Sequence, residues 1–371
     1  MRKILFIAAL LLASATGKAQ GFPWERPLMI AWSNDGITFN APTIFQDSSG
    51  VPSVVRWHGD TLIATFQWFR QPQPSPSWDR VAVKFSYDNG ASWMVPTPIV
   101  VNGIPPSYQR PFDPTLVVLS DDSLRIYFSS SDGIPPPMLD STVNTYSAVS
   151  TDGVNYSFEP NARVDVIDNR VIDPAVIHFG PGWHYLAPAG APQDGAYHYL
   201  SPNGINFNVV PMIISDAMHN WTGNYMVDSP TELRFYGAGQ NGIWYNSSPN
   251  GGIWNGYVNT NIMGGDPTVL KVDADTYLMI HVGQPYGMAI GDGPIAANGP
   301  KALPVPAHDL LRIVSERVIT HYRILSISGA LLQEGRPMSG SIALDRIPPG
   351  AFVLELVETD GARTRMRVIK E

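Results

Sequence analysis

Short apolar stretches separated by turn residues run through most of the chain. The stretches are rich in Val, Ile, Tyr, Phe and Trp, and Gly, Pro, Asn and Asp lie between them. Stretches of this kind are typical of β-strands joined by tight turns. The pattern therefore predicts an all-β protein.

A turn of the form Ser-x-Asp/Asn-Gly-x-Ser/Thr/Asn-aromatic recurs between the apolar stretches. In this turn the Asp or Asn accepts hydrogen bonds from the following backbone amides, the Gly takes a positive φ, and the aromatic ring packs between strands. There are five copies, the last two weaker, at residues 33–39, 86–93, 150–156, 201–207 and 248–254. The turn resembles the Asp-box of sialidase-like propellers, which implies a structural role on the outer rim.

A second repeat pairs an apolar strand with the strand that follows it. The three clear copies begin at Asp113, Asp173 and Asp266, each followed by Pro, and degenerate copies lie at 52–55 and 226–228. Five pairs match five turns, which predicts a five-bladed β-propeller. The strands within residues 27–45 precede the first pair, so we expect them to close the last blade. Six blades are the alternative, if residues 287–290 begin another sheet.

The two ends of the chain differ from the propeller repeats. Arg2 and Lys3, the apolar run 4–15 and the small residues at 17 and 19 predict a signal peptide over 1–19. That run is shorter than the about 20 residues that cross a bilayer, and no later segment is long enough, so we expect no integral membrane segment. The propeller is predicted over 20–290, a Pro/Gly/Ala-rich linker over 291–312 and a small β-sandwich over 313–371.

Composition narrows the function classes. Residues 21–300 carry 24 acidic and 11 basic side chains, a net charge of −13, which disfavours nucleic acid and anionic membranes as partners. The chain has no cysteine, which excludes disulfides and thiolate chemistry. The histidines show no metal-ligand spacing, so we predict no metal and no cofactor.

The inner strand of each propeller blade lines the central channel, so residues at the starts of these strands converge. Asp113, Asp173, Asp228 and Asp266 lie at or beside such starts. Carboxylates that converge raise each other's pKa and can supply the acid and base of glycosidic bond cleavage. The alternative is that Asp-Pro only caps the strand entry.

Residues 113–158 and 173–200 resemble the five-bladed glycosidases that include arabinanases, xylosidases and fructosidases. The strand 172–176 followed by 183–186 is similar to a pair at that family's active site. The resemblance implies an Asp base, a Glu acid and a tuning Asp, with Asp113 and Asp173 as base or tuning carboxylates. The repeat adds Asp266 as a third candidate. The chain departs from the family because Val51 stands at the usual base position. The glutamates of the propeller region, Glu25, Glu159 and Glu232, fall at positions away from the expected pocket.

Several further side chains are candidates for contact with a polysaccharide or oligosaccharide. Aromatic faces can stack on sugar rings, and arginines and histidines can bind hydroxyls. The alternatives are packing between blades for the aromatic residues and an ion pair with a pocket aspartate for the arginine. The predicted substrate-binding residues are Arg110, Trp68, Trp221, Tyr225, Asp228 and His281.

About the last 60 residues resemble the C-terminal sorting domain recognised by the type IX secretion system. The resemblance lies in residues 322–329, in residues 347–354 and in the closing Val368-Ile369-Lys370. It implies the type IX machinery as a partner and a secreted or outer-cell-surface location. The alternative is an immunoglobulin-like sandwich that contacts carbohydrate or protein.

Two hypotheses for the propeller follow from the sequence. The first is a glycoside hydrolase that uses the pocket aspartates Asp113, Asp173 and Asp266. The second is a non-catalytic propeller that binds glycan or protein through the same pocket. The family resemblance favours the first hypothesis, and the scarcity of glutamate favours the second.

Overall fold

The computed structural model describes residues 26–69, 79–132, 143–283, 301–303, 307–315, 318–326, 331–337, 340–359 and 363–370. The predicted signal peptide over 1–19, and residues 287–290 of the alternative sixth blade, lie outside the described residues. Within the described residues the only helix is a single 3-10 turn, Pro192–Asp194, so the prediction of an all-β protein is confirmed. None of the described segments forms a helix long and apolar enough to cross a membrane.

Strands β1 to β21 form the larger part of the structure. In chain order they are β1 (Leu28–Ser33), β2 (Thr43–Gln46), β3 (Ser49–His58), β4 (Thr61–Trp68), β5 (Arg80–Ser86), β6 (Thr97–Pro98), β7 (Val100–Asn102), β8 (Phe112–Val118), β9 (Leu124–Ser131), β10 (Val143–Ser150), β11 (Asn155–Val164), β12 (Ala175–Phe179), β13 (Gly182–Pro188), β14 (Ala196–Ser201), β15 (Asn208–Val209), β16 (His219–Ser229), β17 (Glu232–Gly239), β18 (Gly242–Ser248), β19 (Tyr257–Asn259), β20 (Gly265–Asp273) and β21 (Thr276–Val282).

These strands form five antiparallel sheets, which are the five blades of a propeller. The sheets have the orders β3-β4-β5-β6, β8-β9-β10-β11, β12-β13-β14-β15, β16-β17-β18-β19 and β20-β21-β1-β2, and β7 adds to the second sheet parallel to β11. Strand β1 pairs with β21 over the six residues Leu28–Ser33, so the N-terminal strands complete the last blade as predicted. Closure of this kind leaves no open edge in the ring of blades.

The recurring turns have the structural role that the sequence predicts. The Asp35 carboxylate accepts hydrogen bonds from the Ile37 and Thr38 amides at 2.8 and 2.7 Å. Gly36 has a φ of +71°, a backbone conformation that favours glycine. The ring of Phe39 is 3% exposed and belongs to a buried cluster between blades. The turn aspartates are therefore bound by the backbone and are not free to act on a ligand.

The inner strands β3, β8, β16 and β20 share an irregularity near their starts. Their pairing with the second strands shifts between residues 50 and 53, 112 and 115, 220 and 223, and 265 and 268, respectively. Two residues of each inner strand are thereby left unpaired. In three blades these residues are an X-Pro pair, and the first residue of the pair takes a positive φ. These residues are Val51 (+47°), Asp113 (+48°) and Asp266 (+42°), and Asp173 (+53°) has the same conformation just before β12.

A layer of small polar residues closes the channel directly after these irregularities. Its members are almost fully buried: Ser53, Thr115, Asn224 and Thr268. Asn224 reaches from the fourth blade to the second, where its Oδ1 accepts from Thr115 Oγ1 at 2.9 Å, and to the first, where its Nδ2 donates to the Pro52 carbonyl at 3.0 Å. The channel is thus blocked on one side, and the X-Pro residues face its other side.

Strands β22 to β28 form a separate small sandwich. They are β22 (Lys301–Leu303), β23 (Leu310–Val314), β24 (Ile319–Ser326), β25 (Leu331–Gly335), β26 (Ser341–Ala343), β27 (Gly350–Glu358) and β28 (Arg363–Lys370). They form a three-stranded sheet β22-β23-β26 and a four-stranded sheet β25-β24-β27-β28, which share one apolar core. The predicted sandwich is present, and its first two strands overlap the range 291–312 that the sequence assigns to a linker.

Candidate active site

The open side of the channel contains a cavity of about 540 Å³. Residues from the first, second and fifth blades form its walls, together with the connections next to them. The lining residues are Arg26, Ser49, Gly50, Val51, Gln67, Phe69, Asp79, Gln109, Arg110, Phe112, Asp113, Asp266 and Val282. A volume in this range is typical of a small-molecule or oligosaccharide site.

The structure brings Asp113, Asp173 and Asp266 together, as the sequence predicts. All three are partly buried, and Asp113 and Asp266 line the cavity. The positive φ at each position is a conformation that Asp and Asn adopt more easily than other non-glycine residues. The positive φ therefore explains why aspartate recurs at these positions. The same repeat places a carboxyl group from each of three blades at one end of the channel.

The three carboxyl groups perturb one another. Removal from water raises the pKa of Asp113 to about 7; the charge of Asp266 also raises it, whereas the Asp173 backbone N–H acts in the opposite direction. Removal from water also raises the pKa of Asp266 to about 6, against the lowering effect of the Arg26 guanidinium. The pKa of Asp173 is raised well above its ordinary value, first by burial and then by the charges of Asp113 and Asp266. Near neutral pH the cluster therefore retains a proton.

Arg110 lies at the cavity wall, where its guanidinium donates to Asp79. The side chain of Arg110 is 43% exposed, so it can also contact a ligand. The sequence predicts an ion pair between this arginine and a pocket aspartate, but it does not single out Asp79. Gln67 is another lining residue that the sequence did not identify, and its Nε2 donates to the same carboxylate. Neither Asp79 nor Gln67 occupies a repeated position, so no sequence pattern indicates that they line the cavity.

The structure corrects the prediction for Asp228. This residue is the second-to-last of β16, so it lies at the far end of the inner strand and not at its start. Its carboxylate accepts from Tyr277 Oη at 2.7 Å and lies 3.4 Å from the side-chain nitrogens of Arg234 and Lys271. In the fourth blade Asn224 pairs with Tyr236 as Thr115 pairs with Tyr127 in the second, so Thr222, two residues before Asn224, matches Asp113.

The predicted aromatic sugar contacts are part of the core. Trp68 is 8% exposed and packs in the cluster between the first and last blades. Trp221 and Tyr225 are 1% and 6% exposed, with ring centroids 4.9 and 5.3 Å from Phe235. None of the three lines the described cavity. Packing between strands and blades, the alternative for each residue, is what the structure shows.

His281 is also a core residue. It is 1% exposed and lies on β21, one residue before the cavity-lining Val282. Burial lowers its pKa to about 4, while the Val282 carbonyl near Nδ1 acts in the opposite direction. The ring is therefore neutral at pH 7, and the prediction that it binds substrate is not supported by its position.

The two described glutamates of the propeller lie outside the cavity lining. Glu159 is held by Arg125, with both Oε atoms 2.9 Å from guanidinium nitrogens. Glu232 begins β17 at the hairpin after β16 and accepts from Arg234 at 2.8 Å. No glutamate of the described residues is therefore placed as an acid in the cavity. Across the described part of the chain, no three His, Cys, Asp or Glu side chains are arranged to hold a metal ion.

Comparison with solved structures finds similar shapes among glycoside hydrolases. Zg3597, a family 117 glycoside hydrolase from the marine bacterium Zobellia galactanivorans, is 10% identical with a TM-score of 0.48, over 63% of this chain and 84% of that chain. The Bombyx mori GH32 β-fructofuranosidase BmSUC1 is 11% identical with a TM-score of 0.49, over 94% and 90% of the two chains. The exo-β-1,3-galactanase 1,3Gal43A from Clostridium thermocellum is 10% identical with a TM-score of 0.47, over 91% and 86%.

No protein-family model and no curated protein sequence matches the chain. At these identities the structural likeness assigns no role to any residue.

Proposed function

We propose that this protein hydrolyses glycosidic bonds in a polysaccharide or oligosaccharide, with its propeller channel as the active site. The observation that carries the proposal is the cluster of Asp113, Asp173 and Asp266, contributed by three blades and facing one end of the channel. Carboxyl groups with raised and unequal proton affinities can divide the roles of acid and base between them.

Asp113 is the proposed general acid. Its pKa of about 7 leaves a proton on the carboxyl near neutral pH. In the glycosidases that the sequence resembles, a glutamate supplies the corresponding proton. That proton passes to the oxygen of the leaving sugar while the bond from that oxygen to the anomeric carbon breaks. Asp266, the other lining carboxyl, takes a proton from the water whose oxygen bonds to the anomeric carbon. Asp173 positions the Asp113 carboxyl through its backbone N–H, and the charge of Asp266 raises the proton affinity of Asp113.

A non-catalytic glycan-binding propeller is the second candidate function. It is favoured by Val51, which stands in the first blade where the second, third and fifth blades carry aspartate. A binding protein needs the cavity and its polar wall but does not need a proton donor.

Hydrolysis of a polysaccharide panel distinguishes the two functions. We expect reducing ends to be released by the wild type, and the rate to fall at least about 100-fold in Asp113→Asn and Asp266→Asn, because acid or base catalysis contributes about that much. Asp168→Asn is the matched control, because Asp168 is exposed and also has a positive φ of +62°. Binding of a glycan without release of reducing ends would support the second function. Equal rates in all variants would refute the site.

The export route belongs to the same proposal. The sequence predicts a cleaved signal peptide over 1–19 and a sorting domain for the type IX machinery, and thus a secreted or cell-surface location. The sorting-domain proposal is supported by the C-terminal sandwich, which has its own apolar core. In it Lys370 is 8% exposed and donates to the Leu344 and Ile347 carbonyls at 2.8 and 3.0 Å. Fusion of residues 301–371 to an exported reporter in a type IX-competent bacterium tests this. Periplasmic retention of the reporter would contradict it.

A further inference from the structure

A second cavity, of about 350 Å³, adjoins the channel cavity at Arg110, which lines both. Its other walls come from β5, from β7 and from the connection that leads to β8. The lining residues are Arg80, Val81, Ile99, Val100, Val101, Ile104, Pro105, Pro106, Tyr108, Arg110 and Pro111. Because Arg110 lines both cavities, the two cavities lie next to each other.

The second cavity has two arginines and no acidic residue in its lining. Among the described residues the acid that acts on both arginines is Asp79, which forms an ion pair with Arg110. Among the described residues no ion-pair partner of Arg80 is found, and the neighbouring residues 70–78 contain no acidic side chain. Among the described residues two arginines at this wall therefore face one carboxylate, in a propeller region whose net charge is −13.

The two guanidinium groups are close enough to affect each other. Partial burial lowers the pKa of Arg80, and the charge of Arg110 lowers it further, whereas Asp79 acts in the opposite direction. A bound anion beside the two guanidinium groups would reduce the repulsion between them. Arginine is the side chain best suited to a carboxylate or sulfate group, since its N–H groups match two acceptor oxygens at once.

The rest of this cavity suits a sugar ring. Pro105, Pro106 and Ile104 form an apolar wall, and Tyr108 is anchored by edge contacts to Tyr146 and Phe158 at 5.3 and 6.0 Å. Apolar ring faces of sugars pack on proline and tyrosine, while their substituents reach the polar groups at the edge.

We propose that the second cavity binds an anionic sugar, with Arg80 and Arg110 holding its carboxylate or sulfate group, next to the sugar in the channel cavity. The inference rests on the proposed function and gives it a substrate class: glycans that carry uronic acids or sulfate esters.

Calorimetry with matched oligosaccharide pairs tests the inference. The probes are oligogalacturonates with their methyl esters, and sulfated galactan oligosaccharides with their desulfated forms. We expect each anionic member to bind the wild type more tightly than its neutral partner. Arg80→Met should weaken the anionic member about 10-fold and the neutral one less than 2-fold, because one charge-assisted contact is lost. The two anionic series distinguish a carboxylate site from a sulfate site.

Lys271→Met is the matched control, because it removes one positive charge at the far end of the inner strand β20, where Lys271 contacts Asp228. We expect it to change neither affinity. Neutral members that bind as tightly as anionic ones, or an equal loss of both in Arg80→Met, would overturn the inference, as would failure of every anionic member to bind.

Failure of this inference is distinguishable from failure of the proposed function. Arg80-dependent binding of anionic glycans without release of reducing ends leaves the inference intact and removes hydrolysis. Hydrolysis of neutral glycans that depends on Asp113 but not on Arg80 supports the proposed function and removes the anionic-sugar site.

Discussion

The aspartate cluster should make the propeller less stable at neutral pH than it would be without it. Asp113 has an ordinary pKa of 3.8 and a folded-state pKa of about 7. A carboxyl whose pKa is raised on folding stabilises the folded state below its ordinary pKa, and this contribution is lost as the pH rises through the folded-state value. Asp113→Asn removes the ionisable group and keeps its shape and its tolerance of positive φ.

The size of the effect follows from the two pKa values. A difference of about three pKa units corresponds to about 4 kcal/mol, and water in the cavity screens part of it. We therefore expect Asp113→Asn to raise the free energy of unfolding by about 2 to 4 kcal/mol at pH 8 and to change it little at pH 4.

Urea unfolding followed by tryptophan fluorescence measures this difference. All ten tryptophans lie before residue 255, so the signal reports on the propeller and not on the sandwich. Asp168→Asn, exposed and with positive φ, should behave like the wild type at both pH values. A stability difference for Asp113→Asn that is the same at pH 4 and pH 8, or a loss of stability at pH 8, would refute the reasoning.

Three further predictions concern the core, the first blade and the sandwich. Because the folded-state pKa of His281 is about 4, the wild type should lose up to about 3 kcal/mol of unfolding free energy as the pH falls from 6.5 to 4. His281→Asn should lack this part of the loss in urea titrations at the same pH values. Val51→Asn should raise the melting temperature by relieving about 1 kcal/mol of strain at a φ of +47°; an unchanged melting temperature would contradict this. Lys370→Met should destabilise an isolated fragment 301–371 by about 1 to 3 kcal/mol in circular dichroism melts, because the Leu344 and Ile347 carbonyls lose their donor; a fragment as stable as the wild type would exclude that role.

Repetition explains why so much of the propeller could be predicted from the sequence. Each turn at residues such as 33–39 and 150–156 is a local structure, built by hydrogen bonds between residues two or three apart, so its composition shows it directly. The Asp-Pro pairs likewise mark the pairing irregularity near the start of an inner strand. The closing of the last blade by β1 followed from the order of these pieces alone.

The parts that could not be predicted depend on contacts between distant segments. Asp79 reaches the cavity wall because Arg110 and Gln67, from other parts of the chain, bind its carboxylate. Trp221 and Tyr225 both lie on the inner strand β16, and only their packing against Phe235 shows that they belong to the core. The prediction that Asp228 lies at the start of its strand is wrong, because the fourth blade carries Thr222 at the position where three other blades carry Asp-Pro.

In the proposed reaction Asp113 retains a proton near neutral pH and delivers it to a glycosidic oxygen. The dependence of hydrolysis rate on pH, measured for the wild type and for Asp113→Asn on the glycan that the wild type cleaves fastest, tests this claim most directly. We predict that the wild-type rate falls as the pH rises past about 7, and that this decrease is absent from the residual activity of Asp113→Asn. The same decrease in both proteins, with similar rates, would contradict it.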